Sequence, residues 1–176
     1  NDKVGLIIFS DHVEKFVPPS KGKRHVLRVL RELLYHHPEG RGTDITAALD
    51  YLNHVQRKRA VTFLVSDFRD AGFEKALAVA GRRHDMIAVH VGDLREREIP
   101  SVGLLELEDP ETGERLVVNT SDPRFRAGFR ERSRSAREEL DRTLRRGGVD
   151  VIDIETGEPY VRPLMRFFKE RMRRRR

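Results

Sequence analysis

A chain of 176 residues with 38% apolar and 36% charged side chains is long enough to bury one hydrophobic core, and its runs of Val, Ile, Leu and Phe exclude a disordered polymer. The lack of cysteine excludes a disulfide framework, a thiolate nucleophile and any thiolate-held zinc or iron–sulfur centre, a composition that fits the cytoplasm. No apolar run reaches the roughly 20 residues of a membrane-spanning helix, and the net charge of +6 gathers at the C-terminus, where residues 151–176 hold eight Arg or Lys against four acidic residues.

Val4-Gly5-Leu6-Ile7-Ile8-Phe9 is a continuous apolar run of the kind found in strands buried on both faces. After Ser10-Asp11-His12, alternation over 13–17 predicts a short edge strand that Pro18-Pro19 ends, because proline donates nothing to a ladder. Helical spacing over 25–35 sets Val26, Leu27, Leu30, Leu33 and Leu34 on one face and predicts a surface helix packed on a sheet. A loop over 36–42 follows. Thr43-Asp44 then opens a second helix that carries Ile45, Ala48, Leu49 and Leu52 inward.

The run 60–65 reads as a second buried strand, with Ser66-Asp67-Phe68-Arg69-Asp70 directly at its C-terminal end. A crossover helix over 73–81 and a third strand over 86–91 complete a βαβ unit, which requires parallel strands and meets ligands at their C-terminal ends. Segments 104–108 and 115–118 flank Asp109-Pro110-Glu111-Thr112-Gly113 as an antiparallel hairpin. A long helix over 124–146 lines up Phe125, Phe129, Ala136, Leu140 and Leu144 and stops at Gly147-Gly148. A strand over 149–154 and a helix over 163–172, with Leu164, Phe167 and Phe168 inward, complete the pattern. This alternation predicts a single α/β domain over 1–176, an open, mostly parallel sheet with helices on both faces.

Among candidate functional residues Asp67 stands first: a carboxylate ending a buried parallel strand points into the crevice where ligands sit, and hard cations such as Mg²⁺ take oxygen ligands. The plainer reading makes Asp67 and Asp70 caps of the next helix. Thr43 offers a hydroxyl from a second loop, against the plainer reading in which Thr43 or Asp44 caps a helix. Ser10-Asp11 reads as a turn, since no Gly-x-Ser-x-Gly elbow surrounds it. His36-His37 have no zinc-ligand spacing, and no phosphate loop or dinucleotide fingerprint occurs. The tail 169–176 is basic enough to meet phosphates or an anionic surface, but lacks an aromatic stacking platform.

Several pieces in order carry a resemblance: Val4 to Ser10, Pro18-Pro19-x-x-Gly22, Gly42-Thr43-Asp44-Ile45, Leu64-Val65-Ser66-Asp67-Phe68-Arg69-Asp70, His84-Asp85, Asp93 with Glu96 and Pro100, Asp109-x-Glu111-Thr112-Gly113-Glu114, and Pro163-Leu164-x-x-Phe167-Phe168. Across nearly its whole length the chain resembles the von Willebrand factor A-like family associated with MoxR-type AAA+ ATPases, known as domain of unknown function 58. The resemblance implies a Rossmann-like sheet. It also implies a metal-ion-dependent adhesion site, in which an Asp-x-Ser-x-Ser loop, a Thr and an Asp hold Mg²⁺ as a reversible clamp on a partner's carboxylate. Thr43 and Asp67 match the last two positions. No Asp-x-Ser-x-Ser occurs, so the resemblance implies a domain whose first strand is absent, with a gap between the strands 4–9 and 61–65 and no metal held by this fragment. The implied role is non-enzymatic protein–protein interaction with a MoxR-type AAA+ ATPase in protein assembly or maturation; the alternative is nucleic-acid or anionic-surface binding through the basic C-terminus.

Overall fold

The computed structural model describes residues 2–108 and 113–174; the hairpin turn expected at Asp109-Pro110-Glu111-Thr112, and Arg175 and Arg176 of the basic tail, lie outside the described residues. Strands β1 (Val4–Phe9) and β2 (Val13–Ser20) pair antiparallel as a two-stranded sheet. β2 runs through Pro18-Pro19 instead of ending before them. Between the pairs Val4↔Ser20 and Leu6↔Val17 the two prolines stand opposite the single residue Gly5, a bulge where a missing N–H breaks no ladder bond. Gly5 is required at that point, since a Cβ would come within 2.9 Å of Pro19 Cγ.

Helices α1 (Lys23–Tyr35) and α2 (Ile45–Val55) follow, then β3 (Val61–Ser66), α3 (Glu74–Arg83) and β4 (Asp85–Gly92) as the expected βαβ unit. The short α4 (Leu94–Arg97) leads to the antiparallel hairpin β5 (Leu104–Glu108) and β6 (Arg115–Asn119). α5 (Pro123–Arg146), β7 (Asp150–Glu155) and α6 (Val161–Arg174) complete the chain. β3, β4 and β7 form a parallel sheet in that order.

Alternate side chains of β4 leave opposite faces of this sheet. Met86 and Ala88 join Ile45, Leu49, Leu64 and Leu77 in a core capped by Leu144 of α5, while Ile87 and Val89 join Ile152 under Leu164 and Phe167 of α6. Helices therefore cover both faces, and the fold is Rossmann-like α/β.

α1 lies against β1 as a surface helix, but the apolar face expected for it is not the one that is covered. Val29 is its buried residue, and Leu27, Leu30, Leu33 and Leu34 are between 47% and 76% exposed. The reason is the division of the sheet: β1 and β3 stand in separate sheets, and two strands about 5 Å apart are narrower than a helix roughly 10 Å across. On α5, Leu144 is buried and Leu140 packs on the core, whereas Ala136 faces outward and Phe125 and Phe129 lie against each other with centroids 6.5 Å apart. Val61, Phe63 and Val65 of β3 also stay exposed, and Phe63 meets Phe168 of α6 at 6.4 Å.

Candidate functional site

Asp67 follows the last residue of β3 at the C-terminal rim of the parallel sheet, with its side chain 46% exposed. The turn that carries it is unusual. Phe68 has φ 58°, in the left-handed region that a bulky side chain seldom enters. Such a conformation costs on the order of 1–3 kcal/mol and persists when the surroundings over-determine it. Here the Phe68 ring is buried against Phe73 and His90, with centroids 6.0 and 6.3 Å away, and its N–H donates to the Ser66 hydroxyl at 3.0 Å. Burying Phe68 turns the adjacent Asp67 outward. Asp67 Oδ1 accepts from the Arg69 N–H at 3.3 Å and from the Ser66 hydroxyl at 3.4 Å. The Arg69 guanidinium lies 3.9 Å from Asp67 and 3.1 Å from Glu96.

Neither Asp67 nor Asp70 caps the helix that follows, because the N-cap of α3 is Phe73 and no side chain caps it. Asp70 instead reaches back across the sheet rim. Its Oδ2 accepts the Ile45 N–H of α2 at 2.8 Å, and its Oδ1 accepts the Ala71 N–H at 2.7 Å. The β1 end reaches the same helix terminus, where the Ser10 carbonyl accepts the Asp44 N–H at 2.8 Å. Both β1 and β3 thus deliver their C-terminal ends to the N-terminus of α2. Asp44 is the N-cap, accepting from the Ala47 N–H at 2.7 Å, so the capping role falls to Asp44 and half-buried Thr43 stands one residue outside it. The structure brings the Thr43 loop and the Asp67 loop to one helix terminus through Asp70.

A second polar cluster at the same rim escaped sequence reasoning. His90 and Asp153 are register partners on β4 and β7, and their side chains approach to 3.2 Å. Arg137 of α5 lies 2.6 Å from both and 2.9 Å from Asp141. Burial raises the Asp153 pKa, but hydrogen bonds from His90 and Arg137 outweigh it and hold the group at about 2. Beside it opens a cleft of about 350 Å³ lined by Arg97, Arg137, Asp153, Tyr160 and Arg166. Only strand register, which a single chain does not declare, could have joined these residues.

Among the described residues no group of three or more His, Asp or Glu side chains is placed to hold a metal ion. A cation here would draw on the Thr43 hydroxyl and the Asp67 carboxylate, hard oxygen donors of the type Mg²⁺ takes. Mg²⁺ commonly binds through one or two carboxylates and keeps several waters. The two donors fit in kind.

The family described as "Protein of unknown function DUF58" matches residues 1–139. Uncharacterized proteins of Mycobacterium tuberculosis and Mycobacterium bovis are each 28% identical over 176 residues, covering 98% of this chain and 55% of their own length. An uncharacterized protein of Mycobacterium avium is 29% identical over 160 residues, covering 89% of this chain and 94% of that protein. The chain therefore spans about half the length of the first two relatives. No solved structure matches it significantly.

Proposed function

Because the chain belongs to the DUF58 family, and because its rim presents an exposed carboxylate beside a pinned loop, we propose that it is a non-enzymatic protein–protein interaction module of the cytoplasm. In this reading Thr43 and Asp67 contribute to a Mg²⁺-dependent clamp that takes a carboxylate of a partner protein. The resemblance of the sequence to von Willebrand factor A-like domains makes a MoxR-type AAA+ ATPase the first candidate partner, in assembly or maturation of other proteins. The observation that carries the reading is the outward placement of Asp67 by the buried, left-handed Phe68.

The arrangement around the Ser10 hydroxyl supports a non-catalytic reading. Ser10 donates to Asp11 Oδ1 at 3.2 Å, and His12 Nδ1 lies 2.6 Å from the same oxygen. The carboxylate thus stands between hydroxyl and imidazole, whereas activation of a serine needs the imidazole beside the hydroxyl. No helix among the described residues is long and apolar enough to cross a membrane.

Calorimetric titration of Mg²⁺ into the protein with its natural flanking sequence tests the clamp. Binding should appear and weaken at least tenfold, about 1.4 kcal/mol, on Asp67→Ala. No heat of binding, or binding indifferent to that change, removes the reading. Anionic-surface binding through α6 has less support, since Arg171 pairs with Asp85 and Asp150 and Arg174 with Asp150, which fastens the helix to the sheet. That alternative requires affinity that falls steeply with salt.

A further inference from the structure

We propose that Glu14 is a positioning residue that holds the 40–43 loop in place and thereby sets Thr43 for the cation; the inference rests on the clamp reading. Glu14 lies on β2 with its side chain only 3% exposed. Its carboxylate accepts from Nε2 of His36, the residue whose backbone N–H caps the C-terminal end of α1, and from the N–H groups of Glu39 and Gly40 at 3.1 Å each. The Ser10 hydroxyl, which donates to Asp11 at 3.2 Å, borders the same loop at Gly40. One carboxylate therefore gathers donors from the end of α1 and from the loop itself.

Removing a carboxylate from water is costly unless its oxygens are fully engaged. An ionised carboxylate has about four acceptor positions, and the Glu14 donors come from segments that no ladder connects. An apolar residue at this point of β2 would fill the space but could not bind two successive loop N–H groups. The loop closes tightly onto the node: a Cβ on Gly40 would lie 2.2 Å from Ser10 Oγ and 2.3 Å from Asp11 Oδ1. On its far side the same loop is fixed by the Ser10 carbonyl at Asp44 and by Asp70 at Ile45. Thr43 stands between these two sets of anchors. Supporting groups of this sort keep a binding side chain within the narrow tolerance a site requires.

The test compares wild type, Glu14→Gln and Glu32→Gln in the protein with its natural flanking sequence. Glu32 is a useful control, because it pairs with Lys15 and Arg31 near β2 and α1 without touching the loop. Amide hydrogen exchange reads loop order, and titration with Mg²⁺ alone reads the site. Glu14→Gln should speed exchange at Gly40 at least tenfold, leave the β4 amides protected and weaken Mg²⁺ at least tenfold; Glu32→Gln should do neither to the loop nor to the metal. Unchanged exchange at Gly40 overturns the proposal, and so does a loosened loop with unaltered Mg²⁺ affinity or an equal loss in Glu32→Gln. A wild type that binds no Mg²⁺ removes the clamp reading and this inference with it. Where Glu14→Gln does not fold, His36→Ala withdraws one donor and keeps the Glu14 charge. It should weaken Mg²⁺ two- to fivefold, and wild-type affinity in that variant overturns the proposal.

Discussion

Glu14 and Asp70 hold the same loop from opposite sides, and the partners of both lie far away in sequence: Gly40 is 26 residues after Glu14, and Ile45 is 25 residues before Asp70. Asp67 was legible because its position depends only on where a buried strand ends. Asp70 looked like a cap for the helix after it, and nothing local says that it caps the helix before it. Glu14 sits in an alternating stretch that predicts a short edge strand, and its burial is legible only once His36 and Gly40 are known to converge on it. The hydrogen bonds around Glu14 have a measurable consequence. The Ser10 hydroxyl first, then His36 and the Gly40 N–H, hold the Glu14 pKa at about 2 against an ordinary 4.5. A folded pKa below the unfolded one gives stabilisation that is complete above about pH 4.5 and lost as pH falls towards 2. Asp153, held at about 2 by His90 and Arg137 against the effect of burial, loses its contribution in an overlapping acid window. Glu14→Gln should therefore lower the melting temperature near pH 7 and flatten its decline between about pH 4.5 and 2. Circular-dichroism melts across that range check this; parallel wild-type and mutant curves would show that Glu14 titrates alike folded and unfolded.

Periodicity located every major element, because a 3.6-residue or continuous apolar pattern is a local property of the chain. It did not say which apolar faces are covered. The stripes of α1 and α2 look equally persuasive in sequence, yet Leu49 of α2 is 1% exposed in the main core and Leu30 of α1 is 47% exposed. The difference lies in what stands opposite: α2 packs against α3 and reaches β1 and β2, whereas α1 lies on a two-stranded sheet. The prolines of β2 misled for a related reason, since a bulge depends on Gly5 in the neighbouring strand. In residues 1–176, Leu49→Ala should destabilise by about 2–5 kcal/mol, the range for emptying a packed leucine site. Leu30→Ala should stay within about 0.5 kcal/mol, as exposed substitutions do. Urea unfolding of the two variants measures the contrast, and a comparable loss in both would mean that α1 packs in solution against something this fold does not display.

For the whole molecule, the ends of β1 and β3 converge on α2 while the strands themselves pair only outward, β1 with β2 and β3 with β4. Each therefore keeps one edge without a strand beside it among the described residues, and an unpaired edge is a template for another chain. Exposed apolar side chains stand on β3, at Val61, Phe63 and Val65, and on α1, which lies against β1, as well as on β5, β6 and α6. Scattered apolar exposure needs no explanation, whereas apolar side chains on an open strand edge favour association. Because the sequence contains no cysteine, single cysteines placed at Val61 and Leu30 report on cover without background. In residues 1–176 alone both should react rapidly with a thiol reagent at low protein concentration, and more slowly as concentration rises and copies associate. In the natural protein with its flanking sequence, at least tenfold slower labelling at both positions, independent of concentration, is the expected result. Equal and rapid labelling in the two forms would show that these surfaces stay open in the working protein and belong to its encounter with a partner, not to its own fold.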